Sequence, residues 1–306
     1  MSLASQSEDL PAHTVTFSFT DIGKCISISS AVLRRRARAS HFTFWPRLPI
    51  LNRIISIAIN TFREAVRDRV LYNLVLFVLI IIACAILLGD LTDGYEARTI
   101  VNIGLNAMLM FGAFIAIFVG VGLVSKEIEK RTVFAIFAKP VGRSEFIVGK
   151  YLGLCLTLAV NVAVMGIGVS LALIYVGGTD LARTIWPSIL LIFFELTILT
   201  AVATLFSSFS SPALSALLTF FVFVIGHFSS SLRDLAEALS SQSAKYFFGA
   251  IYFVLPNLSH FTFVTNAAHG EMPPAQMLLG SILYGIVFDA ILIAAATIVF
   301  SKRNFK

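Results

Sequence analysis

Residues 124–150, VSKEIEKRTVFAIFAKPVGRSEFIVGK, are rich in charge and are flanked on both sides by long apolar runs. A chain turning back at a membrane surface needs only a few polar residues, and this stretch carries far more order than that. Ser125 can cap a helix whose first turn holds Glu127 and Glu129, where negative charge suits the helix dipole. Val124, Ile128, Arg131 and Ala135 fall on one stripe, and Val133, Ile136 and Phe137 make a second, apolar face. Pro140 and Gly142 end that helix. Ser144 begins another, with Glu145 at its start, which continues through Gly149 into the next apolar run. The spacing predicts a short helix parallel to the membrane, held between two spans, with its charges directed at a partner outside the bilayer.

Composition supports the membrane reading. Hydrophobic residues make up 58% of the 306-residue chain, charged residues 13%, and the mean hydropathy is +0.89. A soluble domain carries ~25% charged residues. A spanning helix needs ~20 mostly apolar residues, and six runs qualify: 70–88, 104–124, 152–176, 186–206, 213–231 and about 277–300. Backbone groups in lipid have no water to bond, so these runs should be helices. The fold class expected is an all-α polytopic membrane protein with six transmembrane helices.

Lys and Arg set the orientation. Ten precede the first run, six lie in the second loop (Lys126, Lys130, Arg131, Lys139, Arg143, Lys150), and Lys302, Arg303 and Lys306 end the chain. These three regions share one side. The other side holds only Arg98, Arg183, Arg233 and Lys245. Both termini and the 124–150 loop are therefore expected in the cytoplasm. The basic balance is assigned to topology and to contact with anionic lipid, with no nucleic-acid partner.

Residues 1–50 show neither apolar periodicity nor a signal-peptide core. They are expected to form a poorly structured cytoplasmic tail, or to lie upstream of the true start. From Leu51 the pattern changes. Leu51, Ile54, Ile55, Ala58, Phe62, Ala65 and Val66 take one face, and Asn52, Arg53, Ser56, Asn60, Arg63, Glu64 and Arg67 the opposite one. This predicts an amphipathic helix in the cytoplasmic interface leading into the first span. A long fifth loop, 232–276, contains apolar pieces too short to span, and short exoplasmic helices are expected there. Residues 51–306 are taken as a single transmembrane domain.

Ionisable groups inside a span are costly and are functional candidates by default. Glu195 and Asp289 lie mid-span, Asn161 adds an amide, and His227 sits late in the fifth run. Gly112, Ala116 and Gly120 follow the small-x-x-x-small spacing that favours close helix packing. The cysteines Cys25, Cys84 and Cys155 form no C-x-x-C pair, and the five histidines show no ligand spacing, so no metal site is expected.

The order of residues in the loop resembles a known family. Glu127-Ile-Glu129-Lys130-Arg131-Thr132, then Phe137-Ala-Lys139-Pro140-Val-Gly-Arg143-Ser-Glu145-Phe, then Gly149-Lys150-Tyr151, is similar to the permease subunits of type-2 ABC transporters, within them to the nitrous-oxide-reductase (multicopper-enzyme) maturation branch. Residues 61–72, TFREAVRDRVLY, resemble the approach to the first span in that group. The resemblance covers about residues 51–306. It implies a pair of permeases, each with a cytoplasmic ATPase. The segment between spans two and three would then be the coupling helix seated in that ATPase. Glu127, Glu129, Lys130, Arg131, Thr132, Lys139, Arg143 and Glu145 are the residues expected to make the coupling contact. ATP and magnesium would belong to the partner ATPase, with no cofactor and no catalytic residue in this chain. The location implied is the plasma (inner) membrane of a prokaryote, and the function export. The alternative is ATP-driven force transmission to a periplasmic partner with nothing passing through.

Two enzymatic readings fail on their residues. Gly142 to Tyr151 has a superficial G…GK, but the spacing is wrong for a P-loop, and Tyr151 stands where Ser/Thr would hold magnesium. Asp90-Leu-Thr-Asp93-Gly94-Tyr-Glu-Ala97-Arg98 resembles the opening of the CDP-alcohol phosphotransferase motif. The Gly and two Asp that would complete its two-metal site are replaced by Ala107, Phe111 and Ile115.

Overall fold

The computed structural model describes residues 50–67, 76–81, 83–84, 87, 95–129, 142–229, 249 and 255–302, with the backbone alone for 123–129. Among the described residues the regular elements are all helical: α1 (Ile50–Arg67), α2 (Glu96–Glu129), α3 (Arg143–Tyr175), α4 (Thr179–Thr184), α5 (Trp186–Ser207), α6 (Pro212–His227), the 3-10 turn η1 (Leu258–Phe261), α7 (Val264–Ala268) and α8 (Ala275–Lys302). They belong to one compact unit, Pro49–Lys306.

Four of these helices, α2, α3, α5 and α8, are long and apolar enough to cross a membrane. The shortest, α5, has 22 residues and rises ~33 Å, against a hydrocarbon layer of ~30 Å. The fifth apolar run is shorter as a helix than its sequence suggests. α6 has 16 residues and stops at His227. Beyond it the Ser229 hydroxyl donates to Asn257. The first run, 70–88, lies mostly outside the described residues. Residues 76–81 are helical, with Phe77 and Ile81 buried and Phe77 edge-on to Phe111 at 5.7 Å between ring centroids.

α5 is the central column, buried along most of its length and contacted by α2, α3, α6, α8 and η1. Four of its buried hydroxyls bond within the helix itself. Thr197, Thr200, Thr204 and Ser207 donate to the carbonyls of Phe194, Leu196, Thr200 and Thr204 at 2.7–3.0 Å. The small-residue stripe of α2 meets this column. A Cβ on Gly112 would strike Leu196, one on Gly120 would stand 3.1 Å from the Cβ of Ala203, and Ala116 is buried between them.

α3 closes at Tyr175 because Gly177 takes a left-handed conformation, φ +84°, letting Gly178 N–H return to the Leu173 carbonyl at 2.8 Å. The bundle consequently has two ends. One gathers α1, the start of α3 and the end of α8, where Phe146 stacks on Phe300. The other gathers the start of α2, the α3–α5 connection and α7: Ala97 lies against Gly178, and Leu181 against Gly270.

α1 has three faces where the sequence suggested two. Ile54, Ile57, Ala58, Thr61 and Ala65 turn towards the bundle, with Thr61 and Ala65 fully buried. Leu51, Ile55 and Ile59 form a separate exposed apolar stripe, continued by the half-buried Phe62 and Val66. Asn52, Ser56, Asn60, Arg63 and Arg67 make the exposed polar remainder.

Candidate functional site

The 124–150 stretch divides in the structure. Lys130, Arg131, Thr132 and Lys139 lie outside the described residues. Glu127 and Glu129 belong to the last turn of α2, which runs without a break through Ser125. This corrects the expectation that Ser125 caps a new helix: apolar periodicity and propensity carry α2 past the end of its apolar run. Arg143 and Glu145 fall in the first turn of α3, and their side chains are engaged.

The start of α3 is stitched to two other helices. Gly142 N–H donates to Glu145 Oε2 at 3.3 Å, which fixes the first turn. The same oxygen lies 3.7 Å from Arg53 Nη1 on α1. One turn on, Lys150 Nζ lies 3.7 Å from Glu64 Oε2 of α1. Lys150 is 3% exposed, and its ammonium also stands over the Phe146 ring at 5.8 Å from the centroid. A buried ammonium is tolerated only when paired, so α1 supplies charge as well as packing. On the other flank Arg143 Nη1 donates to the Ser301 carbonyl at the end of α8, 2.6 Å away.

Two glycines let α1 come this close. A Cβ on Gly149 would stand 2.8 Å from Ile57 Cβ, and one on Gly153 would stand 2.6 Å from the Ala58 carbonyl oxygen. Sequence reading missed this pair, although Gly149-x-x-x-Gly153 has the same spacing as the stripe recognised in α2. It also placed Arg53 and Glu64 on the polar face of α1 without a partner. Both point to α3, a pairing that no periodicity within α1 could reveal.

The four intramembrane polar candidates are not one site. Glu195 and His227 meet: Glu195 Oε1 lies 3.2 Å from His227 Nδ1, joining α5 to α6. The carboxyl is 2% exposed and the imidazole 26%, and the two atoms are close without being aligned as a hydrogen bond. Asp289 on α8 stands apart from them, within reach of Tyr151 and Thr197 and beside Cys155. Asn161 donates to the Thr157 carbonyl of its own helix at 2.7 Å, and its buried Oδ1 has no hydrogen-bond partner.

This arrangement can transmit motion. A displacement delivered at the start of α3 acts on α1 through two ion pairs and a glycine seam, and on α8 through Arg143 and the Phe146–Phe300 stack. No curated protein matches the chain. Residues 55–305 match the family model described as ABC-2 family transporter protein, most of the chain's length, and the chain belongs to that family as a membrane subunit of an ABC transporter.

Proposed function

We propose that this chain is the permease of a type-2 ABC exporter, driven by a separate cytoplasmic ATPase that supplies ATP and magnesium. In this reading residues 124–150 contain the coupling helix, and Glu127, Glu129, Lys130, Arg131, Thr132 and Lys139 meet the ATPase. The observation that carries it is the clamped start of α3. Residues 130–141 lead directly into Arg143–Gly153, the stretch that grips both α1 and α8. A push on the segment therefore reaches three helices as one rigid-body movement. Arg143 and Glu145 serve as its inner anchors, turned towards the bundle.

The permease crosses the inner membrane of a prokaryote six times with both termini in the cytoplasm. The apolar run 70–88 supplies the first of these crossings in this reading. The clustering of Arg53, Arg63, Arg67, Arg143, Lys150 and Lys302 at the α1 end supports placing that end in the cytoplasm. Two copies pair. The exposed groove between α2 and α6, lined by Phe114, Phe118, Leu217 and Phe220, suits a second apolar surface. The order of residues between Glu127 and Tyr151 resembles the nitrous-oxide-reductase maturation branch, and that resemblance supports assigning the chain to it.

The test is co-purification with a cytoplasmic ABC ATPase, followed by Glu127→Arg and Arg131→Glu. Each change is expected to weaken attachment or to uncouple hydrolysis from the permease. Full ATPase attachment and full coupling in both variants would remove the coupling role from this segment.

A further inference from the structure

α1 meets three different surroundings. Ile54, Ile55 and Ser56 follow one another at ~100° round the helix, and each marks the middle of one face. The Ile54 face lies against α3, where Ile57 meets Gly149 and Thr61 meets Gly153. The Ser56 face is polar and exposed, and it carries Arg63 and Arg67. The Ile55 face lies between these two. It is apolar and still open: Leu51, Ile55 and Ile59 are 66%, 46% and 42% exposed.

Two neighbouring helices show where the lipid begins. On α3 the exposed residues are first Gly142, Arg143 and Ser144, and large apolar ones start only at Leu152. On α8 the last exposed large apolar residue is Ile298, with Ser301 and Lys302 exposed beyond it. Phe146 stacks on Phe300 between these limits, so both helices put the boundary at one level. α1 is fixed beside that level, from Arg53 at Glu145 to Thr61 at Gly153. An apolar row left open at the depth where lipid starts is a membrane face. The arginines stand at its watery edge. Arg63 follows Ile59 by one turn and lies ~40° further towards the polar face, and Arg67 follows Arg63 in the same way. The nearby carboxylate of Glu64 reaches back to Lys150 on α3.

We propose that the Leu51–Ile55–Ile59 stripe, with Arg63 and Arg67, is a docking surface for an anionic phospholipid of the leaflet at this end of the bundle. The acyl chains lie along the stripe, and the phosphate meets the guanidinium groups. Arginine suits that partner, because its planar fork of donors matches phosphate oxygens. A zwitterionic lipid offers the same chains and the same phosphate, but its own cation offsets the attraction. The charge of the headgroup is therefore what the arginines select. The surface needs no ATPase and is independent of the coupling role proposed for residues 124–150.

The test uses the full chain with its native cysteines replaced, in nanodiscs of phosphatidylcholine and phosphatidylglycerol. A bimane fluorophore is attached at Ile59→Cys on the stripe, and in a second preparation at Ser56→Cys on the polar face. A nitroxide on the acyl chains of one lipid or the other quenches a fluorophore that touches it. The label at Ile59→Cys is expected to be quenched by both lipids, and the label at Ser56→Cys by neither. At Ile59→Cys phosphatidylglycerol should outcompete phosphatidylcholine by about fivefold, the worth of one arginine at an anionic surface. Adding Arg63→Gln and Arg67→Gln should bring the two lipids to parity. Quenching in pure phosphatidylcholine should stay unchanged in that variant, which shows that the stripe is still seated. Absence of quenching at Ile59→Cys by either lipid means that a protein surface, a second copy or an ATPase, covers the stripe, and overturns the proposal. Equal competition by the two lipids in the chain that keeps its arginines overturns it too, as does a preference for phosphatidylglycerol that survives their loss.

Discussion

Single atoms decide how α1 and α3 fit. At Gly153 the site of a missing Cβ is filled by the backbone of α1, which cannot rotate out of the way as a side chain could. Gly153→Ala is therefore expected to push the helices apart and to destabilise the chain by about 1–3 kcal/mol, the usual range for overpacking. Gly280→Ala is the matched control. Nothing lies within 4 Å of its added Cβ, so the change should stabilise α8 by about 0.5–1 kcal/mol through helix propensity. Thermal unfolding of both variants in one detergent checks the pair. Glu195 and His227 pose a different question at the same scale. Removing the imidazole takes away the polar group that faces the buried carboxyl, so His227→Leu should cost about 1–3 kcal/mol, the usual penalty for a buried polar group left unpaired. The double variant Glu195→Leu with His227→Leu should recover most of that loss. A double variant no more stable than His227→Leu would show that the pair is not what compensates the buried carboxyl.

At the scale of helices, the junction of α1, α3 and α8 combines contacts of unequal weight. Arg143 is exposed where it reaches the Ser301 carbonyl, so its bond is worth under about 1 kcal/mol to the whole fold. Its effect is local. Arg143→Ala should leave the unfolding temperature nearly unchanged, while hydrogen exchange over 297–302 rises as the last turn of α8 frays. Unchanged exchange there would mean that the Phe146–Phe300 stack holds the helix end by itself. The same junction shows what sequence can and cannot reveal. The long apolar helices were legible because 20-residue hydrophobic runs have no other stable form in lipid. The amphipathic nature of α1 was legible from its period. Its third face was not, because Ile55 and Ile54 are equally apolar, and only the tertiary partner decides that Ile54 turns to the bundle and Ile55 outward. Arg53 and Glu64 were hidden for the same reason: a charge pairing across helices leaves no trace in the spacing of either one. Ser125 misled because a good cap residue followed by acidic residues also continues a helix already under way.

For the whole molecule, the arrangement of ends turns the charge bias into a labelling experiment. Ser301 lies with α1 and the start of α3, whereas Thr179 and Thr265 lie at the opposite end, and all three are exposed. In a chain whose cysteines are replaced, Thr179→Cys and Thr265→Cys should react with a membrane-impermeant maleimide added to intact cells. Ser301→Cys should react only after the membrane is opened. The contrast should be close to all-or-none, because it reports sidedness and not the strength of any contact. The reverse pattern would keep the bundle and invert its orientation, moving the 124–150 segment away from any cytoplasmic ATPase and removing the coupling role with it. Labelling of all three from outside would mean that the two ends are not on opposite sides of the bilayer, which the length and apolar character of α3, α5 and α8 do not allow if they cross it. The orientation and the coupling role therefore stand or fall on the accessibility of one serine at the end of α8.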